Sequence, residues 1–253
     1  MFGSLWAIQG GNRQVPELLV SKSKANFLNH RVLKIAFDES TKEYHIESVS
    51  KDQAKLVKTY DVVVIANPIT GDSRTPIEFA NFTEPISVPG RYQRTVATLV
   101  AGKLNASYFD WRREHVPDVI IDNDEHGFLN SIGKIEPVVR STKKEKTHVW
   151  KVFSQRPLTD GELAALFETP ARRIETKDWL AYPKYERLGL ANGNFVLHDR
   201  LFYVNAIEWA ASAMEMSVIG AKNVALLVER KLRSENKFKG EAHHSKKLER
   251  EEL

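Results

Sequence analysis

The chain has 253 residues, a formal net charge of +4 and no cysteine. That length supports one large domain or two modest ones, and 42% hydrophobic against 28% charged residues belongs to a globular chain rather than a disordered one. The absence of cysteine excludes disulfides, thiolate zinc sites and a cysteine nucleophile, and no apolar run is long enough to span a bilayer. The mild basicity sits in Arg140–Lys146 and after Glu229 without interleaved aromatics, which argues against nucleic-acid binding.

The first residues, MFGSLWAIQGGN, lack a basic region followed by an apolar core, so they read as the middle of a domain and not as a signal peptide. A short apolar segment over residues 5–11 ends in Gly10-Gly11-Asn12, and Pro16 opens a helix-like stretch from Val15 to Val20. Phe27–Phe37 and Glu43–Val49 read as the two strands of a hairpin across Asp38–Lys42. Tyr60–Ala66 contains Val62-Val63-Val64-Ile65, an unbroken β-branched run that predicts a strand covered on both faces, as in a parallel sheet. Residues 67–90 are punctuated by Pro68, Pro76, Pro85, Pro89, Gly71 and Gly90, and mark a long connection and a crossing between domains.

Arg91–Leu104 reads as a longer strand, Asp118–Ile121 and Gly127–Ile135 as short ones, Arg140–Lys146 as a charged loop, and His148–Phe153 as an alternating antiparallel strand. Leu158–Phe167 reads as a helix with Thr159 and Glu162 at capping-box spacing. The aromatic segment Trp179–Pro183 precedes a Gly/Asn-rich loop at Gly189–Asn194. Phe195–Leu232 then reads as a short strand, a turn at Asn205 and one long helix, with Asn205 as N-cap and Glu208 three residues on. Ala206, Ala210, Ala213, Ser217 and Gly220/Ala221 would form a smooth stripe on that helix, and the free N–H groups of its first turn would favour an anionic or carbonyl-rich ligand. A buried helix of an ordinary α/β protein has the same pattern. Beyond Ser234 the chain turns charged and non-periodic and reads as a loosely ordered tail.

Single candidates for chemistry are weak. His198 and Asp199 are adjacent on a strand and point to opposite faces, so a surface pair is favoured over a catalytic one. No G-x-S-x-G is present, His243-His244 lacks the i, i+4 spacing of a helical metal pair, and no G-x-G-x-x-G occurs, so a complete dinucleotide-binding unit is absent from this chain.

Taken together, the motifs carry a resemblance. They run from Leu5-Trp6 through Gly10-Gly11-Asn12, then Tyr60–Pro68 (YDVVVIANP), Asn130–Gly133 and Val149–Ser154. They continue with Trp179–Pro183, Leu197–Tyr203 (LHDRLFY) and Asn205–Ser217 (NAIEWAASAMEMS). In this order they resemble the C-terminal two-thirds of the flavin amine oxidase and phytoene desaturase superfamily, and within it the prenylcysteine oxidase (prenylcysteine lyase) family, over roughly residues 5–230.

The resemblance implies an α/β fold: an incomplete FAD-binding, Rossmann-like domain from residues 1–70 and 193–233, an inserted antiparallel-sheet substrate domain over 71–192, and a charged flexible tail over 234–253. It implies an FAD-dependent thioether oxidase that cleaves farnesyl- or geranylgeranyl-cysteine, with oxygen and water, to cysteine, a prenyl aldehyde and hydrogen peroxide. On that pattern Asn205, Ala206, Ile207, Glu208 and Trp209 would face the flavin ring and diphosphate, Val32 would lie against the adenine, Ala66 would sit near the same end, and Gly10, Gly11 and Asn12 would lie where the two domains join. No catalytic residue and no metal ligand is implied.

A lysosomal or secreted, glycosylated protein is implied as well. That raises Asn81 and Asn105, each in a sequon, as acceptors, and includes association with a lipoprotein or membrane surface. The glycine-rich diphosphate loop and a signal peptide would lie in a segment preceding Met1, and this chain alone would hold FAD weakly. Many relatives carry a cysteine after the GGN segment where this chain reads Val15-Pro16-Glu17. The rival readings are a truncated or inactive secreted paralogue that binds without flavin, and an amine-oxidase-like enzyme acting on amines or carotenoids.

Overall fold

The computed structural model of the chain describes residues 8–112, 116–122, 127–136, 147–185 and 194–251, with side chains described as far as 235. Leu5, Trp6, the Arg140–Lys146 loop, residues 189–193 and the side chains of His243 and His244 lie outside the described residues. Among the described residues the architecture is mixed α/β with three sheets, most of whose pairings are antiparallel.

In chain order the elements are α1 (Gln14–Ser23), β1 (His30–Asp38), β2 (Glu43–Ser50), β3 (Lys55–Tyr60), β4 (Val63–Ile65), β5 (Glu78–Ala80) and β6 (Tyr92–Leu104). Then come β7 (Val119–Ile121), β8 (Leu129–Ile135), β9 (His148–Ser154), α2 (Asp160–Leu166), β10 (Phe167–Pro183), β11 (Val196–His198), β12 (Leu201–Tyr203) and α3 (Met214–Glu251).

The chain divides into two compact units, each built from two stretches: 28–93 with 182–253, and 1–27 with 94–181. In the first, the expected hairpin forms. β1 and β2 pair antiparallel from Asp38↔Glu43 to His30↔Ser50. Asp38 closes the turn by accepting from the Ser40 hydroxyl at 2.6 Å and the Ser40 N–H at 2.9 Å, which hold its carboxyl down at about 2, the hydroxyl contributing most. The sheet order β3-β2-β1-β5 adds an antiparallel β3 and a parallel β5. β3 is mostly exposed and β5 is only three residues long, so neither carries a hydrophobic periodicity to announce it. A second sheet, β11-β12-β4, stands beside it, with β12 and β4 parallel. Ile35, Phe37, Tyr44, Val63, Ile65, Leu201, Tyr203 and Ala206 form one core under both sheets.

In the second unit five strands pair in the order β10-β6-β9-β8-β7 over a core that includes Val100, Ile132, Trp150, Val152 and Leu166. α2 opens with the capping box expected from the spacing: the Glu162 N–H donates to Thr159 Oγ1 at 3.2 Å and the Thr159 N–H donates to the Glu162 carboxylate at 2.8 Å.

Four expectations change. Tyr60–Ala66 is not one strand: Tyr60 ends β3, and β4 is only Val63–Ile65 in another sheet. Nor is β4 covered on both faces, since Val63 and Ile65 are buried while Val64 is 45% exposed. The long helix does not start at Asn205: residues Val204–Trp209 form a 3-10 turn, and α3 begins at Met214. The stretch read as a loose tail is helical, because α3 continues to Glu251.

Candidate functional site

The site is built on the parallel pair β4 and β12. The Val63 N–H donates to the Arg200 carbonyl at 3.0 Å, and Leu201, Phe202 and Tyr203 lie opposite Val63, Val64 and Ile65. Both strands therefore end at the same level, β4 in Ala66 and β12 in Val204, where the 3-10 turn starts. Ligands of α/β proteins collect at this position, outside the carboxyl ends of parallel strands.

Side chains distant in sequence hold the turn in place. The Tyr92 hydroxyl, 116 residues from Glu208, donates to the Glu208 carboxylate. The Asn205 amide donates to the same oxygen at 3.1 Å, and the Ser212 hydroxyl donates to the other at 3.5 Å. The Tyr185 hydroxyl donates to the Glu208 carbonyl at 3.0 Å. Burial, and next the contact with Glu208, push the Tyr92 phenol far above its ordinary value, so it stays a donor at neutral pH. Burial also raises Tyr203, to about 12.

Trp209 closes the turn. Its indole lies edge-on to Tyr92 with ring centroids 6.2 Å apart, and it abuts Gly90, where a Cβ would fall 2.3 Å from the ring at a φ of +95° that already favours glycine. Its Nε1 is buried with no partner among the described residues. Asn205 thus does not cap α3. Glu208, the other half of the expected capping box, instead accepts a tertiary hydrogen bond from β6, and local helix propensity gives way to it. The free N–H groups expected at Asn205 do not belong to the start of a long helix.

The other sequence-derived candidates fall as follows. Ala206 is buried in the core; Ile207 and Glu208 are half-buried on the turn. Val32 of β1 packs half-buried against the same core as Trp209. Ala66 is exposed. Gly10, Gly11 and Asn12 form a tight turn in the other compact unit: both glycines have positive φ, the Gly11 N–H donates to the Ile8 carbonyl at 2.8 Å, and Asn12 Oδ1 accepts from the Ile8 N–H at 3.1 Å.

His198 and Asp199 do not form a dyad. The Tyr44 hydroxyl contacts both the Asp199 carbonyl and His198 Nδ1, the latter at 2.8 Å. A phenol has one proton and gives it to the carbonyl, so Nδ1 of His198 carries the hydrogen and donates to the phenol oxygen. The Asp199 carboxylate binds Lys231 at 2.6 Å. Among the described residues no three His, Asp or Glu side chains gather as a metal site. Asn81 is exposed at a positive φ, whereas the Asn105 amide nitrogen, the atom a glycan would occupy, donates to the Ala165 carbonyl at 3.0 Å. Tyr92, Tyr185 and Tyr203 carried no sequence signal of a site, since Tyr92 reads simply as the start of a strand.

An open apolar groove of about 740 Å3 runs beside this turn, between β4 and α3, lined by Val64, Ala66, Val204, Val224, Ala225 and Val228. Among the described residues no helix is long and apolar enough to cross a membrane.

Fold and site together define a mixed α/β protein with an apolar crevice beside the carboxyl ends of a short parallel strand pair. The prenylcysteine lyase family model matches residues 2–240, and the chain belongs to that family. It is 38% identical over 239 residues to prenylcysteine oxidase 1 of Pongo abelii, covering 88% of this chain and 46% of that protein. It is 38% identical over 240 residues to prenylcysteine oxidase 1 of Homo sapiens, again covering 88% and 46%. To the prenylcysteine oxidase 1-like protein of Mus musculus it is 36% identical over 242 residues, covering 89% and 47%. The chain thus spans about half the length of the curated relatives it matches.

Proposed function

We propose that the protein containing this chain is an FAD-dependent oxidase that cleaves prenylcysteine to cysteine, a prenyl aldehyde and hydrogen peroxide. The family match over residues 2–240 carries the reading, and the geometry of the crevice supports it. Ala66 and Val204–Trp209 would hold this chain's share of the cofactor. Three features suit a flat dinucleotide: the shared carboxyl end of the two parallel strands, the small exposed side chain of Ala66, and the buried Trp209 Nε1 with no partner among the described residues. When bound, the flavin supplies the two-electron redox chemistry. The chain's own residues orient it: Tyr92 and Asn205 fix the Glu208 carboxylate, and Tyr185 fixes the Glu208 carbonyl, so the turn is held without waiting for ligand. Val32, packed on the same core as Trp209, is the candidate contact for the adenine.

The five-stranded antiparallel sheet of β6–β10 is the candidate substrate domain in this reading. A lysosomal or secreted location belongs to it too, with the exposed Asn81 as the candidate glycan acceptor. So does contact with a lipid surface, for which exposed Leu18, Leu19 and Phe27 offer apolar area.

Incubation of the flavin-loaded protein with farnesylcysteine under air tests the activity. Equal release of cysteine, aldehyde and peroxide is expected; a flavin-loaded preparation that releases none of them overturns the reading.

A further inference from the structure

We propose that Trp209, Tyr92, Tyr185 and Tyr182 form an aromatic path that carries single oxidising equivalents from the 3-10 turn to the protein surface, with the Glu208 carboxylate taking the proton of Tyr92. The oxidase reading enters only as a source of peroxide. The oxidant is an oxygen-centred radical of the class that peroxide yields.

The rings are placed for it, all within one compact unit. The Trp209 indole meets the Tyr92 ring edge-on, centroids 6.2 Å apart. Tyr92 is 3% exposed, while Tyr185 and Tyr182 are 54% and 43% exposed, their rings stacked at 6.4 Å and 12°. Between the inner and outer pairs stands Glu208: the Tyr92 hydroxyl donates to its carboxylate and the Tyr185 hydroxyl to its carbonyl at 3.0 Å. The Lys184 N–H donates to the Arg91 carbonyl at 2.8 Å, which sets the two tyrosine segments side by side. The hydrogen bonds alone suffice to fix the turn; they give no reason for a stacked, exposed tyrosine pair at the outer end.

The proton inventory favours outward transfer. Trp209 Nε1 is buried with no partner among the described residues, so an oxidised indole keeps its proton and stays a strong oxidant. A phenol that gives up an electron becomes a strong acid, and Tyr92 already bonds a base that can take its proton. The steps balance. A hydroxyl radical takes one electron from Trp209 and a proton from solvent and becomes water. Tyr92 returns the electron to the indole and passes its proton to Glu208. Tyr185 then reduces the Tyr92 phenoxyl, which recovers the proton from Glu208, while Tyr185 releases its own proton to solvent. A small thiol at the surface reduces the Tyr185–Tyr182 pair. Without a thiol, two successive events leave two phenoxyls there, and they couple to dityrosine.

Pulse radiolysis of this 253-residue chain with azide radicals, which oxidise indoles in preference to phenols, tests the path. Indolyl absorbance should fall as phenoxyl absorbance rises, at a rate independent of protein concentration. Trp209→Phe should remove that component from the signal of the other tryptophans, and Tyr92→Phe should abolish it with Trp209 in place. Glu208→Gln keeps a hydrogen-bonding group but no base, and should slow it about a hundredfold. Far-ultraviolet circular dichroism checks that these variants are folded. Sustained oxidation should link Tyr182 to Tyr185, read by peptide mass spectrometry. Tyr182→Phe, at an exposed position, should lose the link and keep the transfer rate. The proposal falls if no component depends on Trp209, if Tyr92→Phe transfers like the parent, if Glu208→Gln is as fast, or if the link does not form. Transfer in this chain together with a flavin-loaded protein that releases no peroxide supports the path and overturns the oxidase reading alone.

Discussion

At the scale of single residues, Tyr92 and Glu208 carry the site. Tyr92 is buried, and its hydroxyl shares the Glu208 carboxylate with Asn205. Tyr92→Phe removes a hydrogen bond to a charged acceptor and leaves the carboxylate under-satisfied, a loss of about 1–3 kcal/mol. A urea titration should show the lowered midpoint, and adding Glu208→Gln to that variant should recover part of it, since a neutral amide tolerates the lost donor better. An unchanged midpoint for Tyr92→Phe would mean that Asn205 and Ser212 suffice to hold the turn. None of this was legible in the sequence. The sequence shows Asn205 and Glu208 as a pair three residues apart, and the pair exists at 3.1 Å, but the spacing alone predicts helix capping. The partner that changes its meaning lies 116 residues earlier, beyond the reach of any local pattern.

At the scale of elements, the outcome depends on whether an element is held by its own residues. The capping box at Thr159 and Glu162 is local, and it forms as read. Arg156 contributes first, and then the Thr159 N–H, to holding the Glu162 carboxyl near 2, below its ordinary value of 4.5. A depressed folded pKa stabilises the fold above the unfolded value and loses that contribution as pH falls through the folded one. The stability difference between the parent and Glu162→Gln should therefore be full above about pH 4.5 and vanish towards pH 2 in thermal melts; a difference that does not change with pH would contradict it.

β10 shows the reverse case. Its inward positions include Arg173, which donates to the Leu158 carbonyl at 2.9 Å, and Asp178, which pairs with Arg94 at 2.8 Å. Charged side chains at half-buried positions break the hydrophobic alternation, so this 17-residue strand gives no strand signal, and only Trp179–Pro183 stands out, as an aromatic segment. α3 meets the 3-10 turn through Gly220, where a Cβ would lie 2.8 Å from Ile207 Cγ2 and 3.2 Å from the Val204 carbonyl. Alanine gains about 1 kcal/mol over glycine inside a helix, yet the overpacking costs about 1–3 kcal/mol. Gly220→Ala should therefore destabilise, while Gly161→Ala in α2, where nothing lies within 4 Å, should be neutral or stabilising. The two midpoints in parallel denaturant titrations decide it, and a stabilised Gly220→Ala would show that Ile207 gives way freely.

At the scale of the whole molecule, each compact unit is assembled from stretches far apart in sequence, and this explains which parts of the fold could be read and which could not. The hairpin β1–β2 closes over a few residues and was legible. The parallel pair at the site joins Val63 to Leu201, and its strands are three residues each, too short to register as more than apolar runs. Such a pair contributes little by itself and exists because both strands lie on one core with Phe37, Tyr44 and Ala206. A chain ending at Ala181 is the direct test. It removes β12, the turn and α3, and with them the only described backbone partner of β4 and both hydrogen-bond partners of the Tyr44 hydroxyl. Val63 and Ile65, 6% and 3% exposed in the intact chain, would face water. The antiparallel sheet has its core, from Val100 to Phe167, entirely within the retained stretch. Hydrogen exchange should accordingly show the amides of β4 unprotected and those of β6 and β9 still slow, because burial and pairing around Val96, Val100 and Val152 do not involve the deleted residues. Protection of β4 that survived the truncation would mean that it draws its stability from the hairpin sheet alone, and the site turn would then be an addition to a strand already in place rather than the element that creates it.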